Sequence, residues 1–138
     1  MRDTRGAMVK LVSDVAVVAG ELVLLVRYQD VSRYDGQRGW FLPDDYLANR
    51  EHPDAAARRI LREQAGLEVD PALAEIESLT NGAWHLIFHY RAAVPAPDAV
   101  RLGANIAAAE WFPLDALPPD AEQAHEGWAG EVLSRVLA

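Results

Sequence analysis

A chain of 138 residues with 51% hydrophobic content is long enough for one core and too short for two ordinary domains, so residues 1–138 are read as a single domain. The formal charge of −8 argues against a nucleic-acid backbone as partner, because affinity for polyanions comes mainly from Lys and Arg displacing counterions. The sequence holds no cysteine, which removes disulfides, cysteine-based zinc sites and thiol nucleophiles.

Residues 1–10 alternate charges with small residues and lack the apolar run of a secretory signal, so a cytoplasmic protein is the default expectation. The longest apolar stretch, residues 15–26, breaks at Gly20-Glu21 and falls short of the roughly 20 residues needed to cross a bilayer, so no membrane partner is expected. Residues 9–19 are rich in valine and partly alternate, residues 22–28 are apolar, and the break between them predicts a hairpin. Residues 29–39 are polar and contain Tyr34, Asp35 and Gly36, which predicts an exposed loop before a short strand at 40–42.

Residues 43–52 read as irregular. Pro53 then suits the first turn of a helix, where a missing N–H costs nothing, and Asp54 places negative charge at the positive helix end. This helix runs to Ala65, and Gly66 stops it. Asn81-Gly82 separates strands at 75–80 and 83–92, and the pair suits the positive φ angles of a two-residue hairpin turn. After a loop marked by Pro95, Pro97 and Gly103, residues 106–112 read as a last strand, 113–120 as a turn region and 121–137 as a closing helix. That order of strands and helices predicts an α/β sandwich around a mixed sheet.

The stretch GWFLPDDYLANREHPDAAARRILREQAGL, residues 39–67, resembles the signature box of the Nudix hydrolase family. That box reads glycine, five residues, glutamate, seven residues, Arg-Glu, an apolar residue, any residue, Glu-Glu, any residue, glycine, apolar. Arg59, Glu63, Gly66 and Leu67 fall in register, which puts Glu51 at the first glutamate and Asp45 at the first glycine without gaps. Gly39-Trp40-Phe41-Leu42-Pro43 resembles the strand leading into the box, and Glu110-Trp111-Phe112-Pro113-Leu114 with Leu117-Pro118 resembles the family's C-terminal segment. The resemblance implies a Nudix-like α/β/α sandwich. It also implies pyrophosphate cleavage of a nucleoside diphosphate linked to another moiety, dependent on Mg²⁺ or Mn²⁺. The implied partner is a small nucleotide derivative; a homodimer stays open.

In that family, glutamates from the box helix hold divalent cations that screen the diphosphate and lower the pKa of bound water. The matching positions here carry Ile60, Glu63 and Gln64, so one glutamate of the expected set is kept. Asp44 and Asp45 stand where the family usually has a Gly-Gly pair. With Glu63 they are the candidate metal ligands, or they simply occupy a turn, where Asp bonds its own chain. Glu51 and Arg59 match a structural ion pair between loop and helix, and Glu63, Glu51 and Arg59 form the candidate catalytic set. Arg58 and Arg62 fall on a solvent-facing strip, while Ala57, Leu61 and Ala65 face the core. The missing carboxylates favour the alternative of a catalytically inactive nucleotide-binding or regulatory module that keeps the fold.

His85 and His89 share one face of a strand but lie about 13 Å apart along it, too far for one ion. Either suits a general base or phosphate donor, or a plain hydrogen-bonded role. His52 and His125 are weaker candidates. Tyr34, Trp40 and Trp84 suit stacking on a base or sugar, with core packing the alternative for both tryptophans. Tyr34, Arg38, Trp40 and His85 are the candidate substrate contacts, and Arg33 with Arg38 suits a phosphate.

Overall fold

Gly20, at φ 59°, turns β1 (Val9–Ala19) into β2 (Leu22–Tyr28), as the break in the apolar run predicts. The chain is described by a computed structural model covering residues 2–138; Met1, part of the N-terminal stretch read above, lies outside the described residues. β1 and β2 pair only at Val18–Val23 and Ala19–Leu22. Beyond those pairs the box leader inserts between them. Val26 and Phe41 exchange both backbone hydrogen bonds, at 2.9 and 2.8 Å, and Val15 N–H donates to the Pro43 carbonyl at 3.0 Å.

The strand expected at 40–42 therefore consists only of isolated bridges, and the true strand follows it as β3 (Asp44–Tyr46), antiparallel to Val12–Asp14 of β1. Two aspartates are poor strand formers, so the local sequence hides a strand that tertiary pairing imposes.

The remaining elements are α1 (Pro53–Ala65), β4 (Ala72–Asn81), β5 (Ala83–Ala93), β6 (Ile106–Pro113) and α2 (Trp128–Val136). The sheet order is β4-β5-β1-β2-β6, with β1 and β5 parallel and the other neighbours antiparallel, so the sheet is mixed as expected. α1 is capped by the His52 side chain, which accepts from Asp54 N–H at 3.0 Å, and ends at Gly66, φ 68°. Its Ala57, Leu61 and Ala65 pack on Val15, Val17, Leu24 and Tyr90, on one face of the sheet. Ala129, Val132, Leu133 and Val136 of α2 pack on Ala16, Val23 and Leu25 on the other. Helix, sheet and helix thus form three layers.

The turn at Asn81-Gly82 departs from the expected form. Gly82 alone takes positive φ, 74°, while Asn81 stays in β4 opposite Ala83. The closing helix is also shorter than residues 121–137. A 3-10 turn at Asp120–Glu122 is followed by His125, Glu126 and Gly127, all at positive φ, before α2 begins. Buried Gln123 fixes this corner: its Nε2 donates to Pro118 O at 2.8 Å and its Oε1 accepts from Gly130 N–H at 3.0 Å.

Candidate functional site

The box loop and α1 meet around one guanidinium. Arg59 Nε donates to Glu51 Oε2 at 2.8 Å, and Nη2 donates to Glu51 Oε1 at 3.1 Å and to the Tyr46 carbonyl at 3.0 Å. Nη1 donates to Asp45 Oδ2 at 3.2 Å and to Glu63 Oε2 at 3.4 Å. Arg33, from the preceding loop, holds the other oxygen of Asp45 at 2.9 Å. Glu51 is drawn below the usual carboxylate range first by its bond to Arg59, and Arg59 is raised first by its bond to Glu51. The Glu51–Arg59 tie expected from sequence is therefore present, and the structure adds Asp45 to it.

Asp44 takes a different direction. Its backbone N–H donates to Tyr28 Oη and its carboxyl Oδ1 lies 3.1 Å from the same oxygen. Burial pushes that carboxyl well above the usual range, and Asp14 and Asp45 nearby add to the shift. Gln64 is buried beside it: its Oε1 accepts from Tyr28 Oη at 2.9 Å and its Nε2 donates to the Asp44 carbonyl at 2.9 Å. Neither Asp44 nor Gln64 shares a partner with Glu63. Ile60 is 1% exposed and packs inside.

Two cavities flank this arrangement. The first, about 170 Å³, lies over the α2 face of the sheet and includes Tyr34, Phe41, His85, Ile87, His125 and Trp128 in its walls. The second, about 390 Å³, lies by the C-terminal end of α1 and is lined by Glu63, Gln64, Tyr28 and Asn105 among others. Arg33, Tyr34 and Asp45 line both. Tyr34, expected in an exposed loop, is buried because its ring stacks on Tyr28 at 3.6 Å and 6°. His85 lies in the wall of the first cavity as a candidate contact, its Nε2 3.3 Å from the Asn81 carbonyl. Trp40 and Arg38 line neither cavity. Trp40 is instead packed in the core against Phe112, under the Arg27 guanidinium, and Arg38 is exposed. Trp84 donates its indole N–H to Ser78 on the opposite face of the sheet.

His89 is fully buried, with Nδ1 2.8 Å from both oxygens of buried Asp14 and Nε2 2.8 Å from Glu77. Burial lowers its pKa, but the two carboxylates outweigh that and raise it overall. Among the described residues, Glu75, Glu77 and His89 are the one set of three acidic or histidine groups close enough to share an ion. Arg135 from α2 already binds both glutamates at 3.0 Å. Sequence reasoning missed this network. His89 was singled out without its partners, and Asp14 within a valine-rich strand was the further signal.

A family profile described as NUDIX domain matches residues 9–135. The chain belongs to the Nudix family. Among solved structures, this Nudix domain is similar to a MutT NUDIX hydrolase from Burkholderia pseudomallei, with 20% identity over 94% of this chain and 98% of that one and a TM-score of 0.76. A NUDIX hydrolase from Nitrosomonas europaea gives 18% identity over 93% and 88% at TM-score 0.73. An Ap4A hydrolase binary complex from C. elegans gives 19% over 91% and 93% at TM-score 0.69. No curated protein matches. At these identities the structural likeness establishes the shared fold.

Nudix enzymes generally depend on divalent cations, and the donor set of this Nudix box fits one poorly. Asp45 is ion-paired with Arg33 and Arg59 and Glu51 with Arg59, the Ile60 side chain carries no oxygen, and the Gln64 amide is engaged by Tyr28 and Asp44. Glu63, 57% exposed, is the one carboxylate kept at the helix positions 60, 63 and 64, whereas Mg²⁺ needs near-octahedral oxygen coordination. The candidate metal ligands Asp44, Asp45 and Glu63 thus divide: Asp45 and Glu63 meet at Arg59, and Asp44 points to Tyr28.

Proposed function

We propose that residues 1–138 act as one Nudix-like domain that binds a nucleoside-diphosphate derivative without a dication held by α1. The first cavity carries this reading. At about 170 Å³ it is close to the roughly 150 Å³ that admits one benzene ring, and its aromatic and apolar walls suit a base. Phosphates extending from such a ring would pass Arg33, which borders both cavities and carries a charge suited to them. The nucleotide substrate named for the C. elegans relative supports the same class of ligand.

Hydrolysis is the second reading, favoured by Glu63, whose exposed carboxylate lines the second cavity beside Asp45. Thermal shift and product release across a panel of nucleoside-diphosphate derivatives, with Mg²⁺ or with EDTA, separate the two. Leu79 also lines the first cavity, and binding in EDTA, lost when Leu79→Trp fills that space, is the expected result. An affinity untouched by Leu79→Trp, or no binding at all, ends the proposal. Metal-dependent release abolished by Glu63→Gln would establish the hydrolase instead.

A further inference from the structure

We propose that the Arg59 guanidinium is the built-in cation of the box, holding the carboxylates of Asp45, Glu51 and Glu63 together and keeping divalent cations out. A guanidinium has five N–H donors, and each of the five has an acceptor here. The acceptors are carboxylate oxygens and one backbone carbonyl, the same hard donors that Mg²⁺ or Mn²⁺ selects. Their spacing belongs to the guanidinium. They lie 2.8–3.4 Å from its nitrogens, whereas Mg²⁺ requires oxygens at about 2.0–2.1 Å.

Asp45 makes the arrangement particular to this chain. It occupies a glycine position of the box, so it brings a carboxylate that the family pattern lacks, and it spends that charge on two arginines rather than on an open ligand site. Arg59 is only 19% exposed, against 57% for Glu63, so the cation lies deeper than that carboxylate. A dication drawn to Glu63 finds the Arg59 charge directly behind that carboxylate, 3.4 Å away. Like charges at such separations repel strongly where water is partly excluded.

The contacts of loop and helix carry this inference by themselves. It stands or falls apart from the ligand proposed for the first cavity.

The test is Mn²⁺ binding to the full chain, read from the electron paramagnetic resonance of free Mn²⁺. The native chain should bind more weakly than about 1 mM, the loose end of oxygen-ligand cation sites. Arg59→Met, which frees Glu51 and Glu63 and leaves Asp45 held by Arg33 alone, should bind roughly tenfold tighter or better. Adding Glu63→Gln to Arg59→Met should remove the gain, and Mn²⁺ should raise the melting temperature of Arg59→Met alone. Arg33→Met should bind no tighter than the native chain. Where Arg59→Met fails to fold, Arg59→Gln keeps a neutral hydrogen-bonding partner for Glu51 and carries the same expectation. Native binding as tight as that of the Arg59 variants overturns the proposal, whether both are tight or both are absent.

Discussion

Gln64 shows how a substitution in a signature can serve structure. Its amide offers an acceptor to Tyr28 and a donor to the Asp44 carbonyl, and a glutamate there would lose the donor and set a second carboxylate against Asp44. Gln64→Glu, which restores the family's residue, should therefore destabilise the fold at neutral pH by about 1–3 kcal/mol, the usual penalty for a buried polar group left unpaired. Chemical denaturation measures it, and a variant as stable as the native chain would contradict the assignment. At this scale the sequence revealed the Glu51–Arg59 tie, because the box fixes its spacing. Tyr28's role was hidden. Its partners lie far along the chain, and an apolar strand gives no sign that its last side chain holds a loop in place.

The elements were legible wherever local chemistry sets them. Pro53 and Gly66 bracket α1, and Gly20 marks the first hairpin. They were illegible where contacts decide, as at β3, which borrows β1 as its partner, and at α2, whose start waits for the Gln123 corner. The Asp14–His89–Glu77–Arg135–Glu75 chain joins four elements in this way, fastening the C-terminal end of α2 to β1, β5 and β4, with the Trp128 ring 6.2 Å from His89.

That chain also sets a pH dependence. His89 is raised above the ordinary imidazole value of about 6.5, so its contribution is full below that pH and is lost as pH climbs through its folded value. Asp14, raised by burial, acts with the same sign from about pH 3.9 upward. Glu51 has the opposite sign: lowered by Arg59, it contributes above about pH 4.3 and fades on acidification. Above about pH 6.5 the melting temperature should fall, and His89→Gln should flatten that slope. Equal slopes in the two proteins would remove His89 from the account.

For the molecule as a whole, the family and the layered mixed sheet were readable because spacing and flanking segments survive point changes. The site was readable only in part. Position in the box predicted which residues would gather, but the partners each would choose depended on side chains arriving from outside it, chiefly Arg33 and Tyr28. No described helix is long and apolar enough to cross a membrane. What remains is a Nudix fold whose box is held by its own arginine, beside a ring-sized cavity.

The decisive measurement is calorimetric titration of the native chain with the tightest-binding nucleoside-diphosphate derivative, once in EDTA and once in Mg²⁺. The two dissociation constants should agree within about twofold, a difference below about 0.5 kcal/mol. An affinity roughly tenfold or more tighter in Mg²⁺, with the gain erased by Glu63→Gln, would contradict it.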